Sequence, residues 1–343
     1  EELEEVVVVG YGTQKKETMV GSIATTSTEE IKKSNVDNIG AALVGRLNGL
    51  TGWQQSSQPG SARPDLQIRG RSGILVIVDG VETVGGQMLS TQSTGDSWNT
   101  SGSISGWESI NPNDIESVSM LKDASATAVY GVRGANGVLI ITTKKGISGK
   151  PVVSYSGNVS LSTPLSQLRM VGSYDMLSVL NQANALDGQG LYLFNYDDWQ
   201  RFKFPESEND GILYPSLEPI STYTRTFSPK TDHTISLRGG GEFVKYYASI
   251  GYYDEKGLLK EIPQLGSDFN YGYKRISLRS NLDFKLTKRL TFNVNLDNRL
   301  ENRRGPVMGG ADTHFDWVYY SRPWVTPGYI GDKFVKNIIP NDN

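Results

Sequence analysis

No cysteine occurs anywhere in the 343 residues. That removes disulfides, thiolate metal ligands and thiol nucleophiles together. The two histidines, His233 and His314, leave little material for a zinc site or a histidine-based triad. A basic excess is missing too: 34 Lys and Arg stand against 37 Asp and Glu, pI is near 5.6, and the basic residues are scattered, which speaks against nucleic-acid binding. No apolar run approaches the roughly 18 to 20 residues of a membrane-spanning helix. The longest, Ile74 to Val78 and Val138 to Ile141, are strand-sized, so helical spans are excluded. The acidic opening stretch lacks the basic and then apolar order of a secretory leader. Enzyme signatures are absent as well. Gly10-Tyr11-Gly12 lacks the third glycine and following helix of a dinucleotide fingerprint, Gly146 to Lys150 is too short for a P-loop, and no GxSxG elbow occurs. Neither a cofactor nor a metal is expected.

What is present points to β-structure. With 38 glycines, 17 tyrosines and a hydrophobic fraction of only 37%, the composition suits strands joined by long polar loops, the profile of a barrel with one wet face. The length has room for about two or three domains.

Three regions differ in pattern. Residues 1 to 16 form an acidic, β-branched tail in which four consecutive valines favour an extended backbone able to join another sheet. The alternative for this tail is an edge strand of the neighbouring domain. From 17 to 147 helices and strands mix into an α/β layer of about 130 residues. Asn38 is a candidate cap for a helix carrying Ile39, Leu43, Leu47 and Leu50, with Gly49 and Gly52 as stops. Leu66 to Arg69, Ile74 to Val78 and Val118 to Leu121 read as strands, the second closed by the turn pair Asp79-Gly80. Asn111 and Pro112 look like a cap and first helical position; Asp123 is placed to cap a helix from Ala124 to Tyr130 that Gly131 ends, and Val138 to Thr143 returns as a strand.

From 148 to 343 helices are expected to vanish and alternation to take over. Val153, Tyr155, Val159 and Leu161 share one face; Ile235 and Leu237, then Tyr246, Ala248, Ile250 and Tyr252, do the same. In the clearest hairpin Ile276, Leu278, Leu282, Phe284 and Leu286 continue as Leu290, Phe292, Val294 and Leu296 after a tight turn at Thr287 to Arg289, while Arg275, Arg279, Asp283 and Asp297 lie on the other face. A soluble sandwich alternates in the same way, so periodicity leaves sandwich and barrel open. Connection lengths add one cue. A minimal turn at Thr287 contrasts with long, aromatic stretches at Pro164 to Asp232 and beyond Asn302, as short turns at one end of a barrel contrast with long loops at the other.

Several segments, in order, carry a resemblance. Glu4 to Thr13, Gly45-Arg46-Leu47-Asn48-Gly49-Leu50, Leu66-Gln67-Ile68-Arg69-Gly70, Val76-Ile77-Val78-Asp79-Gly80-Val81 and above all Ile110 to Gly146 resemble the plug of SusC-like TonB-dependent outer-membrane transporters (the SusC/RagA type). The resemblance implies a mixed α/β plug inside a large antiparallel transmembrane β-barrel of roughly 22 strands, of which about five are readable here. It implies a chain in the cell outer membrane with a periplasmic N-terminus and a TonB box at Glu5, Val6, Val7, Val8, Val9, Gly10, Tyr11 and Gly12. Its partners would be TonB with ExbB/ExbD, a SusD-like lipoprotein lid, outer-membrane lipid and an oligosaccharide or oligopeptide ligand. Five lipid-facing strands alone would leave open edges in hydrocarbon, so a fragment of a longer protein is expected. A TonB-dependent siderophore or vitamin receptor is the rival within the class, and a soluble glycan-binding β-sandwich adhesin the rival outside it.

Two further sets of residues are candidates for function. Trp98 and Trp107, in or beside the Ser/Thr/Gly-rich insertion 85–106, are flat enough to stack on a pyranose, or are incidental to a flexible loop. Arg69, Arg71, Lys122 and Arg133, with Asp79, Glu116 and Asp123, could form ion pairs that hold the plug and break on activation, or be solvated structural charges. The cluster Phe315, Trp317, Tyr319, Tyr320 and Trp324 reads as an interface girdle or a packed outer loop.

Overall fold

The structure, a computed structural model, describes residues 6–9, 12–15, 23–32, 38–54, 58–60, 64–83, 106–164, 169–192, 194–207, 209–261, 270–305, 321–325, 329–330 and 333–334. The chain divides into two compact units: Glu1–Leu161 with Pro229–Lys256 and Gly272–Arg304, and Ser162–Ser228 with Gly257–Tyr271 and Gly305–Asn343.

The first unit opens with β1 (Val6–Val9) and β2 (Gly12–Lys15), paired antiparallel as a sheet of their own. Then come β3 (Ile23–Ser27), α1 (Thr28–Lys32), α2 (Ile39–Leu43), β4 (Leu50–Gln54), β5 (Pro64–Ile68), β6 (Leu75–Val78), β7 (Val81–Thr83), β8 (Ile115–Leu121), α3 (Ala124–Thr127) and β9 (Val138–Thr143). Five of these strands form a mixed sheet in the order β3-β8-β9-β6-β7, in which β6 and β9 run parallel and the other pairs antiparallel. β6 (Leu-Val-Ile-Val) and the first four residues of β9 (Val138 to Ile141) are apolar at every position because both faces of the sheet are covered there. Val76, Leu139 and Ile141 join the main core with Ile39, Leu43, Leu47, Ile68 and Ile115, while Leu75, Ile77, Val138 and Ile140 build a smaller core with Leu121.

Local signals explain most boundaries. The Asn38 side chain accepts from the Gly40 amide at 2.7 Å and starts α2, as expected. That helix is shorter than its apolar spacing predicts. It stops at Leu43, Gly45 turns left-handed with φ 80°, and Leu50 opens a strand instead. Asp79 and Gly80 both take positive φ, 49° and 86°, the requirement of the two-residue hairpin that joins β6 to β7. Asp123 corrects another expectation: it makes no side-chain cap bond, and its carboxylate instead meets Arg69 at 3.1 Å. Beyond α3 the chain continues as 3-10 turns to Gly134, broken at Gly131.

Five long strands complete this unit: β10 (Gly149–Ser162), β11 (Ser228–Gly240), β12 (Val244–Lys256), β13 (Gly272–Lys285) and β14 (Thr291–Arg304), hydrogen-bonded in chain order. The reversals after β11 and β13 are tight. Gly241 donates to the Val244 carbonyl, and the Thr287 hydroxyl accepts from the Arg289 and Leu290 amides.

The second unit corrects the expectation of irregular loops. It holds α4 (Ser173–Leu186), α5 (Tyr196–Arg201), α6 (Asp210–Leu213) and α7 (Pro219–Tyr223), and the short pair β15 (Tyr329–Ile330) and β16 (Lys333–Phe334). Its core is aromatic: Leu177, Phe194, Phe202 and Trp324 are buried together, with Tyr174 stacked on Trp199 at 5.1 Å. Trp324 is therefore part of a packed loop unit; Phe315, Trp317, Tyr319 and Tyr320 lie outside the described residues.

Candidate functional site: the polar contact of α/β domain and wall

Burial in the long-stranded wall runs opposite to that of a soluble protein. On β13, Arg275, Ser277, Arg279 and Asn281 are buried, with Arg279 5% exposed, whereas Ile276 and Leu278 alternate with them at 40% and 48% exposed. On β12, Tyr247, Ser249, Tyr253 and Glu255 are buried and Ile250 is open; on β11, Thr234 is buried and Ile235 is open. The polar face packs against the α/β domain. A sandwich would bury the apolar face instead.

Because residues alternate strictly across a strand, one register sends every arginine and asparagine of this face toward the domain. The contacts come from a limited set of domain segments. Asn111 donates to Thr234 Oγ1 at 3.0 Å and to Ser277 Oγ at 3.4 Å, and Asn113 donates to Asp232 at 3.2 Å. Asn281 donates to Thr143 Oγ1 and to the Lys144 carbonyl, both at 2.8 Å. Arg275 reaches the Ser109 carbonyl at 3.3 Å, and Arg238 the Lys145 carbonyl at 2.7 Å. Gly251 makes room for this docking, since a Cβ there would meet Asn111 Nδ2 at 2.5 Å.

At the centre lies Arg279. Its guanidinium is 3.7 Å from Asp79, 3.8 Å from Asp114 and 3.1 Å from Asp297 of β14. Asp79 also accepts from the Thr143 amide and hydroxyl at 2.8 and 2.6 Å, and Asp114 accepts from the Tyr247 hydroxyl at 2.8 Å. Burial, the largest influence, pushes the Asp114 carboxyl above its ordinary 3.8, against the lowering effects of the Ser249 and Tyr247 hydroxyls and the Arg279 and Lys144 charges. Three carboxyls around one guanidinium, with Lys144 acting on one of them, make a node whose charge depends on a proton at Asp114.

Two of the expected ion-pair residues meet the wall. Asp79 belongs to the node, and Glu116 faces Arg238 of β11 at 3.7 Å. Arg69 pairs with Asp123, Arg133 with Glu82, and Lys122 donates to the Asn48 carbonyl, all within the domain. Arg71 bridges back to Ile68 through its backbone. Trp107 is 5% exposed and belongs to the main core, so its ring offers no open face for a sugar; Trp98 lies outside the described residues. Of the residues expected to form a TonB box, Val6 to Val9 and Gly12 fall in β1 and β2, and Glu5, Gly10 and Tyr11 lie outside the described residues. Sequence reasoning missed Asp114, Tyr247 and Asn281 and gave Arg279 no role. The usable signal was a charge-rich face on a strand that must pack against something.

Residues 15–138 match the family profile of the TonB-dependent receptor plug domain. The chain is 35% identical over 271 residues to the TonB-dependent receptor SusC of Bacteroides thetaiotaomicron, covering 75% of this chain and 23% of that protein. It is 32% identical over 304 residues to a TonB-dependent receptor of Formosa agariphila, covering 85% and 26%. Among solved structures, the RagAB peptide importer in its open-open state superposes with TM-score 0.68 at 27% identity, over 88% of this chain and 33% of that one. The chain belongs to the SusC-like TonB-dependent transporters, as an α/β plug with part of the wall of a large antiparallel barrel. It spans about a quarter of the length of the curated relatives it matches.

Proposed function

We propose that the protein imports nutrient oligomers across the outer membrane at the expense of TonB-transmitted energy, with oligosaccharides as the first candidate cargo and oligopeptides as the second. The observation that carries this reading is the inverted burial of the wall. An exposed apolar face on five consecutive strands fits hydrocarbon, and a buried polar face fits a lumen that holds a plug. The match to SusC favours the class, and the likeness to a structure described as a peptide importer keeps peptides as the second cargo.

On this reading residues 1–16 are the TonB box and tail, 17–147 the plug and 148–343 the first strands and loops of the barrel. The N-terminus is periplasmic, and the long connections face outward beneath a SusD-like lipoprotein. The outer membrane has no ATP, so work arrives mechanically through TonB with ExbB/ExbD. A strand at Val6 to Val9 offers main-chain hydrogen bonds along which a pull is borne. The plug resists through hydrogen bonds and ion pairs rather than an apolar seam. Such contacts exchange with water at small net cost when the plug shifts.

Deleting Glu5 to Gly12 from the complete receptor tests this. Surface binding of the cargo should survive while its accumulation falls to the level seen without proton-motive force. Accumulation at the unaltered rate would remove the TonB-coupled role.

A further inference from the structure

β1 and β2 face each other with Val6 opposite Lys15, Val7 opposite Gln14, Val8 opposite Thr13 and Val9 opposite Gly12. Only Gly10 and Tyr11 join them. A two-residue connection is closed by a hydrogen-bonded pair, here Val9 with Gly12, and antiparallel alternation makes Val7 with Gln14 the next such pair. The backbone N–H and C=O of Val6 and Val8 therefore turn away from β2. Among the described residues no third strand takes them up.

The two outer edges of this hairpin are not equivalent. β1 consists of four valines, with neither charge nor proline to discourage a further strand. β2 reads Gly-Thr-Gln-Lys, pairing a weak strand former with the residue type that natural edge strands use against pairing. One edge is open to strand addition and the other is guarded.

We infer that the coupling segment is presented as a preformed hairpin, and that the periplasmic partner adds its strand to the outer edge of β1, at Val6 and Val8, while β2 stays paired behind it. This rests on the TonB-coupled reading above and adds which edge is used and in what state. A hairpin holds β1 extended before the partner arrives, so the encounter does not have to order those residues. It also excludes the tail from the plug's own sheet, whose edge strand β3 pairs only with β8 among the described residues.

Within these 343 residues no native cysteine competes with an introduced pair. In the full-length receptor in outer-membrane vesicles, the double change Val8→Cys with Thr13→Cys occupies a non-hydrogen-bonded pair, where side chains lie closest, and oxidation locks the hairpin. The probe is the soluble periplasmic C-terminal domain of TonB. Locked and reduced receptors should capture it with affinities within about twofold, whereas Val8→Pro, which deletes an outward N–H and leaves both inward pairs, should weaken capture at least roughly tenfold. Capture lost on oxidation and regained on reduction would overturn the inference, because the hairpin would then have to open; so would capture indifferent to Val8→Pro. Failure of the unaltered receptor to capture the domain, with uptake independent of proton-motive force, would instead bring down the TonB-coupled reading itself.

Discussion

Arg279 compensates two carboxylates that belong to the plug, Asp79 and Asp114, from a position on the wall. Removing one partner of a buried ionic group leaves the others desolvated and unpaired, which costs roughly 3 to 5 kcal/mol. Arg279→Met should therefore loosen the plug in the complete receptor, seen as faster hydrogen exchange and easier proteolysis around Asn111 to Asp114. Adding Asp79→Asn and Asp114→Asn should restore most of the protection. Protonation belongs to the same node. Because Asp114 is raised above 3.8, the folded protein holds that proton more tightly than the unfolded chain. Its contribution to docking is thus complete below 3.8 and is lost as pH rises through the raised value. Exchange at the amides of Asn111, Asn113 and Asp114, corrected for intrinsic rates, should slow as pH falls through that window, and Asp114→Asn should flatten the dependence.

At the scale of elements, Gly146 governs how the plug is tethered. It lies between β9 and β10, and a Cβ there would overlap the backbone nitrogen of Tyr246 on β12. Gly146→Ala should push the linker off the wall at about 1 to 3 kcal/mol, lowering the melting temperature of the purified receptor. Gly190→Ala, with open space around it, serves as the control. Elements with a local cause were legible in the sequence: the Asn38 cap, the Asp79-Gly80 hairpin and the apolar run of β9 all formed where expected. α4 was not legible, because it buries only Ser173, Leu177 and Asn181, a stripe too narrow and too polar to stand out among alternating strands. The node around Arg279 was hidden for a different reason. Its members lie on β13, β14, the β6 to β7 turn and the segment before β8, and only the tertiary register brings them together. On a wall that buries its polar face, the rule that charges are solvated points the wrong way.

For the whole molecule the decisive property is the direction of burial across β11, β12 and β13, the middle three of the five long strands. Alternation told which residues share a face but not which face meets solvent, and that ambiguity disappears once Arg275, Arg279 and Asn281 are seen packed against the plug. The outward set, including Val153, Ile235, Ile250, Leu278 and Leu296, puts exposed apolar side chains on all five strands, as a water-soluble protein rarely does. On the proposed reading that face meets lipid, and an arginine placed on it at the bilayer midplane would cost about 2 to 4 kcal/mol. Spin labels on single cysteines at positions 250, 278 and 296 of the complete receptor in bilayers test it most directly. Collisions with oxygen should dominate over collisions with a water-soluble nickel chelate at all three positions. Nickel-dominated relaxation there would show water where lipid is expected and would contradict a transmembrane wall.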